Sequence, residues 1–364
     1  MHISDVIQLI ETEIPIAYAE DFDNVGLLVG DKTEKLKGIL VTLDTTEAVV
    51  DEAIAKGCNF ICSFHPIIFK GLKSLTGKTY VERTVLKAIQ HNIAIYAIHT
   101  ALDNSVIGVN KMICNQLQLK DTKILIPQKN TLKKLTTYVP EGEAKDLREA
   151  LFNAGAGHIE LYSNCSFNVN GEGTFMGNDL SNPVKGERNV LRTEPETQIS
   201  VLFPKHLESK IISALHQNHS YETVAYEVIS IENDNQTIGI GMVGELETEL
   251  PEKAFLEYLK SYMQTNTIRH SKFLNKTVKR VAVLGGSGAF GIAAAKRAKA
   301  DVYVTSDLKY HDFFSAENDI LLADIGHYES EQFTKNGLVA ILTKKIHNFA
   351  IILSETNTNP VKYF

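Results

Sequence analysis

Short apolar runs rich in β-branched residues alternate with segments of helical spacing, and this alternation limits the fold more than any other feature of the chain. In the first stretch, residues 38–43 predict a strand, a helix follows that ends at Gly57, and residues 60–62 predict the next strand. A helix over residues 80–91 and a strand over residues 93–98 complete a β-α-β-α-β pattern. Strands that alternate with helices predict a parallel sheet covered by helices on both faces.

The last third of the chain repeats this pattern. Four strands are predicted at residues 280–284, 301–305, 320–325 and 350–354. Three helices are predicted between them, at residues 288–300, 308–316 and 328–345. In open α/β sheets, ligands bind at the carboxyl ends of the strands, so the residues that follow each strand are the candidates for a functional site.

The middle of the chain has a different pattern. Two β-α-β halves, separated by a glycine-rich stretch and a polar loop, predict a small ferredoxin-like domain inserted into the larger one. The predicted fold class is therefore an α/β main domain with a parallel sheet, interrupted by a ferredoxin-like α+β domain. We expect the main domain at residues 1–128 and 232–364 and the inserted domain at residues 129–231.

Composition excludes several classes of function. The 364 residues are 44% hydrophobic and carry a net charge of −7, which argues against broad electrostatic binding of nucleic acid or anionic lipid. Four scattered cysteines do not make a disulfide framework. No apolar run reaches the length of a membrane span, and the first residues do not form a signal peptide, so we expect a cytoplasmic protein.

Histidines and carboxylates follow several of the predicted strands. His65 precedes a proline after one strand, His99 and Asp103 follow the next, and His327 lies four residues before Glu331 on a predicted helix. A histidine and a carboxylate at this spacing share one helix face and can hold one metal ion. Alternatively, each histidine could have only a structural role through hydrogen bonds, and His327 and Glu331 could form an ordinary surface pair. The residues alone leave both interpretations open.

Residues 286–291 match the G-x-G-x-x-G pattern of dinucleotide-binding proteins, after a strand and before a predicted helix. Asp307 ends the next strand, close to where such proteins place a ribose-binding acid. Close packing of strand against helix accounts for the same glycines without any ligand.

Taken together, these segments resemble one family. The resemblance is carried by DNVGLLVGD at residues 23–31, SFHPIIF at 63–69, HTALDN at 99–104, GGSG at 285–288, TSDLKYH at 305–311 and GHYESE at 326–331. The chain resembles the GTP cyclohydrolase 1 type 2 homologs, the dinuclear metal-centre hexameric proteins. Its middle segment resembles the P-II/CutA-like insertion of the longer members.

The resemblance implies a homohexamer with two divalent metal ions in each subunit, held by His65, Asp103, His327 and Glu331, with Glu331 bridging both ions. This sequence departs from the family at Phe64, where most members have a second histidine. We therefore expect one firmly held ion on His65, His327 and Glu331 and a weak or absent second one, so one or two ions per subunit. A histidine and carboxylate set suits zinc, iron and manganese alike.

The function implied is metal-dependent hydrolysis of a nucleotide or purine ring by activated water. His99 and His311, both close to strand ends, are the side chains we select as proton donors or ligand-orienting groups, and Lys309 is the candidate for a substrate phosphate. The alternative is a non-enzymatic, metal-dependent hexameric scaffold or regulator whose inserted domain senses a ligand. A basic segment at residues 269–280 is interpreted as a solvated linker, so nucleic-acid binding is not expected.

Overall fold

The computed structural model describes residues 1–364 and divides the chain into two compact units. The main unit comprises residues 1–127 and 237–364, and the inserted unit comprises residues 128–236, so the second boundary lies beyond the expected residue 231. Pro127 and Gly239 are partner residues on neighbouring antiparallel strands of the main unit. The chain therefore leaves and re-enters the main unit at adjacent points of one sheet, which lets a domain be inserted without disturbing the host core.

The chain contains eleven α-helices and fifteen strands. The helices are α1 Ile3–Glu13, α2 Glu47–Ala55, α3 Tyr80–Gln90, α4 His99–Asp103, α5 Val109–Gln116, α6 Ala144–Asn153, α7 Glu208–Gln217, α8 Glu252–Met263, α9 Ile292–Arg297, α10 His327–Glu331 and α11 Thr334–Thr343. The strands are β1 Gly26–Val29, β2 Ile39–Thr42, β3 Phe60–Ser63, β4 Ala94–Ala97, β5 Lys120–Pro127, β6 Leu132–Pro140, β7 Phe167–Phe175, β8 Arg192–Pro204, β9 Tyr226–Ile231, β10 Gly239–Pro251, β11 Arg269–His270, β12 Thr277–Ser287, β13 Val302–Ser306, β14 Leu321–Asp324 and β15 Ile351–Leu353. No helix is both long enough and apolar enough to cross a lipid bilayer.

The α/β class expected for the main unit is confirmed, but the unit contains two mixed sheets where one parallel sheet was expected. The first has the order β1-β4-β3-β2-β15 and is parallel except for β1. The second has the order β11-β14-β13-β12-β10-β5, in which only β12, β13 and β14 are parallel. The antiparallel strands lie outside the β-α-β repeats, so the alternation of strands and helices gave no indication of them.

The core explains why the parallel strands are continuously apolar. In β2, Val41 packs into a cluster that also contains Phe60 of β3 and Val283 and Val304 of the second sheet. The neighbouring Leu40 packs on the opposite side, with side chains of α2 and α3. Both faces of each central strand are therefore buried, which is the usual condition of parallel strands.

The inserted unit has the ferredoxin-like fold, and this prediction is confirmed. Its four strands follow the order β7-β8-β6-β9, every neighbouring pair is antiparallel, and α6 and α7 follow β6 and β8 along the chain. Leu147 of α6 and Ile211 of α7 pack on Ile199 and Val201 of β8. The helices cover one face of the sheet. The strand β7 was not predicted, because two glycines interrupt its sequence pattern.

Several predicted helices of the last third are shorter or broken. The segment predicted at 288–300 is a 3₁₀ turn followed by the short α9, and the segment at 308–316 is a 3₁₀ helix from Tyr310 to Ala316. The segment predicted at 328–345 is divided into α10 and α11. This break makes α10 a short helix whose two ends carry His327 and Glu331.

Candidate metal centre

Three side chains converge where the two sheets of the main unit meet. His65 follows β3 of the first sheet, whereas His327 and Glu331 lie on α10, which follows β14 of the second sheet. The Oε2 atom of Glu331 lies 3.2 Å from Nε2 of His65 and 3.3 Å from Nε2 of His327. The three ligand atoms all lie within 4.8 Å of one another. The three residues therefore form a group that could hold a metal ion.

The geometry of this group fits a divalent cation. Two ligand atoms placed tetrahedrally about 2.0–2.1 Å from one ion are separated by about 3.3–3.4 Å, close to the observed contacts of the Glu331 carboxylate. Glu331 Oε2 is buried and has no partner with hydrogen-bond geometry. Buried carboxylate oxygens are normally satisfied, so an oxygen left open beside two imidazole nitrogens fits the position of a metal ligand.

Each ligand histidine is oriented by a carboxylate on its other ring nitrogen. Nδ1 of His65 lies 2.8 Å from Asp44 Oδ1, and Nδ1 of His327 lies 2.7 Å from Asp307 Oδ2. A hydrogen bond at Nδ1 leaves Nε2 as the nitrogen that faces the other ligand atoms. This arrangement is the common outer shell of metal-binding histidines, and it fixes both the tautomer and the ring orientation.

The pKa values of the three side chains show that the Glu331 carboxylate favours positive charge on the two histidines. Burial disfavours the charged form of His65, but its contacts with the Asp44 and Glu331 carboxylates outweigh this and raise its pKa to about 10. Burial opposes the charge of His327 too, but the Glu331 and Asp307 carboxylates raise its pKa to about 9. Burial alone would raise the pKa of Glu331, but the two histidines lower it to about 2. Without an ion, the imidazoles carry the protons that a bound cation would replace.

Asp103 and Phe64 lie beside the three-residue group. Asp103 is not part of that group, but its Oδ1 is buried without a hydrogen-bond partner. Burial and the charge of Glu331 raise the pKa of Asp103 well above its usual value. Phe64 is completely buried and its ring lies 5.6 Å from that of His99. Asp103 therefore offers one further carboxylate for a second ion, and Phe64 offers no ligand for it.

The structure separates the two histidines selected as proton donors. His99 lies beside the site, with its ring 5.3 Å from that of His65 and its Nδ1 2.8 Å from Asp23 Oδ1. Its backbone has a φ of +23°, an unusual value held by the hydrogen bond from its N–H to the carbonyl of Phe64. Such strain is often kept at functional positions. His311 instead lies exposed on a 3₁₀ helix, where its ring contacts Tyr310.

The glycines at residues 286–291 allow close packing around the site. A Cβ on Gly286, which has a φ of +70°, would lie 2.5 Å from Glu331 Oε1, and a Cβ on Gly288 would lie 2.0 Å from Thr305 Oγ1. Asp307, the acid considered for a ribose, hydrogen-bonds to His327 and to Ser287. The residues of the dinucleotide pattern are thus explained by close packing around Glu331.

A cavity of about 570 Å³ opens beside the ligand histidines. Its wall includes His65, His327 and Arg269, and residues 359–361 and 363 near the C-terminus also line it. The C-terminal segment is fixed to the site, because Thr358 Oγ1 donates to Asp44 Oδ2 at 2.6 Å. A small organic substrate could therefore reach the candidate metal position from a pre-formed cavity.

Comparison with known proteins identifies the family of this chain. The family model described as "Duf34/NIF3 (NGG1p interacting factor 3)" matches residues 1–360. The chain belongs to the Duf34/NIF3 family. A Bacillus subtilis relative named "GTP cyclohydrolase 1 type 2 homolog" is 40% identical over 98% of this chain and 97% of its own. A Halalkalibacterium halodurans relative with the same name is 36% identical over 98% of both chains. The family resemblance predicted from the motifs is confirmed.

Solved structures of Duf34/NIF3 relatives share the complete fold. The crystal structure of a Bacillus cereus protein related to NIF3 superimposes with a TM-score of 0.88 at 35% identity, over 100% of this chain and 99% of that one. A Staphylococcus aureus protein superimposes with a TM-score of 0.80 at 33% identity, over 100% and 99% of the two chains. Both similarities include the inserted unit.

Two orienting carboxylates of the Duf34/NIF3 site were missed from the sequence. Asp44 follows β2 and Asp23 precedes β1, and each is joined to a histidine distant in sequence. Asp44 had a detectable signal, since it follows a strand end just as the ligand histidines do. Asp23 lies in the motif at residues 23–31 that carries the family resemblance, but nothing in that motif indicated its contacts with His99 and Thr100, which the fold brings to it.

Proposed function

We propose that this protein is a metal-dependent hydrolase of a nucleotide or purine-type substrate, with His65, His327 and Glu331 as the ligands of one firmly held ion. The observation that carries the proposal is the convergence of these three ligand atoms beside a cavity that can admit a substrate. The names of the relatives, "GTP cyclohydrolase 1 type 2 homolog", support a purine nucleotide as the first substrate to test. A divalent cation, when bound, supplies a Lewis acid that lowers the pKa of water toward neutrality.

Arg269 is the residue that we assign to a substrate phosphate. Its Nη2 donates to the carbonyl of Leu308 and to Asp324, which leaves its Nε and Nη1 donors without a partner in the chain. The side chain is 55% exposed and lines the cavity. A guanidinium presents a fork of donors that matches phosphate oxygens. Lys309, the earlier candidate for this contact, is exposed and does not line the cavity.

His99 is the residue that we assign to proton transfer. Its Nδ1 is fixed by Asp23, whose pKa burial alone would raise, but hydrogen bonds from His99 and Thr100 lower it to about 2. The Asp23 carboxylate therefore stays charged at neutral pH and holds the His99 ring in one orientation. The free Nε2 is then the atom that can take a proton from the attacking water and pass it to a departing ring nitrogen.

The test is turnover by protein whose metal content has been measured. The protein is loaded with zinc, iron(II) or manganese and incubated with GTP and a panel of nucleotides, and the products are separated by chromatography. Glu331→Gln should lose at least about a hundredfold in rate, because it removes the charge shared by both histidines. Glu317→Gln is the matched control, since Glu317 is 69% exposed and only pairs with Lys296. Unchanged turnover in Glu331→Gln, or none by the fully loaded native protein, would refute the proposal.

The second candidate is a non-enzymatic, metal-dependent regulator. The inserted unit favours it, because this unit contains a cavity of its own, of about 740 Å³. Under either candidate we propose a homohexamer, which light scattering on the purified protein would test by mass. Absence of nucleotide turnover together with tight metal binding would favour the regulator over the hydrolase.

A further inference from the structure

The cavity of the inserted unit lies on the face of its sheet that α6 and α7 leave uncovered. Ile199 and Val201 of β8 point to the helices, so the alternate residues Glu196 and Gln198 point to the opposite face, where they line the cavity. The loop that follows β7 covers this face, and Asn182 of that loop is fixed by the hydrogen bond from its N–H to Glu222. With about 740 Å³, the cavity has the size of a small-molecule site.

Glu196 is a buried carboxylate with unused acceptor capacity in this cavity. Glu196 is only 9% exposed, and its Oε1 accepts a hydrogen bond of 2.7 Å from the hydroxyl of Tyr221. Its Oε2 accepts no hydrogen bond, and no lysine or arginine forms an ion pair with it. The nearby Glu194 differs, because Arg192 and Lys185 neutralise it. A buried carboxylate without a cation is costly, so it indicates a positively charged or N–H-bearing ligand.

Two glycines make the floor of the cavity flat. In the register of β7 and β8, Gly171 lies directly opposite Glu196 and Gly173 opposite Glu194. A Cβ on Gly173 would lie 2.1 Å from Glu196 Oε2, so the carboxylate rests on the Gly173 backbone. A Cβ on Gly171 would meet no atom within 4 Å, so the space above it is open.

Aromatic rings stand beside the carboxylate. The rings of Tyr221 and Phe175 lie 5.8 Å apart at an interplanar angle of 56°, and both residues line the cavity together with Tyr138. Aromatic faces attract cations and stack on flat rings. Among the charged side chains on this face of the lining, Glu196 and Glu222 outnumber Lys185, whose charge is already paired with Glu194. The cavity is therefore acidic and partly aromatic.

We propose that the inserted unit binds a small planar organic cation, such as an amidine or a protonated amino-heterocycle, which lies on Gly171 and donates its N–H groups to Glu196. Oε2 takes one N–H group and the second lone pair of Oε1 takes another, since each carboxylate oxygen can accept two hydrogen bonds. All these residues belong to the inserted unit, so the inference does not rest on the metal centre or on the proposed hydrolase.

The test uses two probes of equal shape and opposite charge, benzamidine and benzoate, with the full-length protein. Binding is followed by ligand-observed NMR and by chemical shifts of the ¹⁵N-labelled chain. We expect benzamidine, and not benzoate, to bind and to shift the amides of Gly171, Gly173 and Tyr221. Equal binding of both probes, or no binding of benzamidine at about 10 mM, would overturn the proposal.

Two variants locate the site. Glu196→Gln should weaken benzamidine binding at least tenfold, since it keeps the shape and removes the charge. Gly171→Val should abolish binding by filling the open space, and the fold should tolerate it because valine favours strands. Glu149→Gln, on an exposed residue of α6, is the control, and Glu331→Gln in the main unit should leave binding unchanged. Binding that survives Gly171→Val, in a chain whose circular dichroism is native, would show that the probe binds elsewhere.

Discussion

Replacing Asp44 with asparagine should weaken metal binding without altering any ligand atom. Asp44 accepts a hydrogen bond from Nδ1 of His65 at 2.8 Å and another from Thr358 at 2.6 Å. An asparagine can keep the first contact through its carbonyl oxygen and turn its amide toward the threonine hydroxyl, so the geometry survives while the charge is lost. The experiment therefore measures what the orienting charge contributes to the ligand.

The expected loss is about ten- to thirtyfold in affinity for zinc. Loss of an outer-shell partner typically costs about ten- to a hundredfold. The Asp44 side chain is 33% exposed, so water compensates part of the lost charge and the effect should fall in the lower part of this range, or about 1.4–2 kcal/mol. Asp307→Asn should cost less than Asp44→Asn, because the Asp307 side chain is 48% exposed.

The assay is competition for zinc between metal-free protein and a chromophoric chelator at fixed pH and salt. Asp51→Asn provides the control, because Asp51 pairs only with Lys87 and its side chain is 60% exposed. Native affinity in Asp44→Asn would refute the argument that the carboxylate on Nδ1 tunes His65 as a ligand. An equal loss in Asp51→Asn would attribute the effect to net charge rather than to this contact.

The remaining predictions concern the number of ions, their protons and the C-terminal segment. Phe64→His should raise the metal content measured by mass spectrometry from about one to about two ions per chain, and unchanged content would contradict the assignment of Phe64 as the missing ligand. In the metal-free protein His65 and His327 have pKa values of about 10 and about 9, so both are protonated at neutral pH. Ion binding should therefore release about two protons, which calorimetry in several buffers can count, and affinity should rise with pH up to about 10; release of less than one proton would disprove this. Burial opposes ionisation of Glu52, but hydrogen bonds from Ser354 and Thr356 lower its pKa to about 2. The contribution of ionised Glu52 to the stability of the fold is therefore complete above about pH 4.5 and disappears as the pH falls toward 2. Hydrogen exchange should show the C-terminal segment loosening over this interval in the native chain but not in Glu52→Gln, where the segment should already be loose at pH 7.

The parallel strands and the convergence of His65, His327 and Glu331 could be predicted because their signals are local. A central strand buried on both faces is a short apolar run, as in β2 and β3, and His65 directly follows such a run. The inserted fold was equally accessible, since β6-α6 and β8-α7 have clear strand and helix patterns. These features require only a few neighbouring residues to be recognised.

The partition into two sheets could not be predicted, because it depends on strands with weak patterns. The β10 strand carries three glycines, and β5 has a single buried residue, yet these strands extend the second sheet. The sequence could not distinguish the two candidate histidines either. His99 and His311 both follow strands, but His99 contacts Asp23 across 76 residues of sequence, whereas His311 faces solvent. Which of the two belongs to the site is decided by long-range packing alone.

A continuous path of polar contacts connects the C-terminal segment with the metal ligands. Thr358 donates to Asp44, Asp44 holds Nδ1 of His65, and Nε2 of the same ring faces Glu331. An ion that fixes the His65 ring therefore also fixes the carboxylate to which Thr358 is bound. Because coupling between two equilibria is reciprocal, ordering of the segment must strengthen ion binding by the same factor by which the ion orders the segment. Since residues 359–361 and 363 also line the cavity, we expect an ion bound at this group to change the shape of the cavity through the same contact.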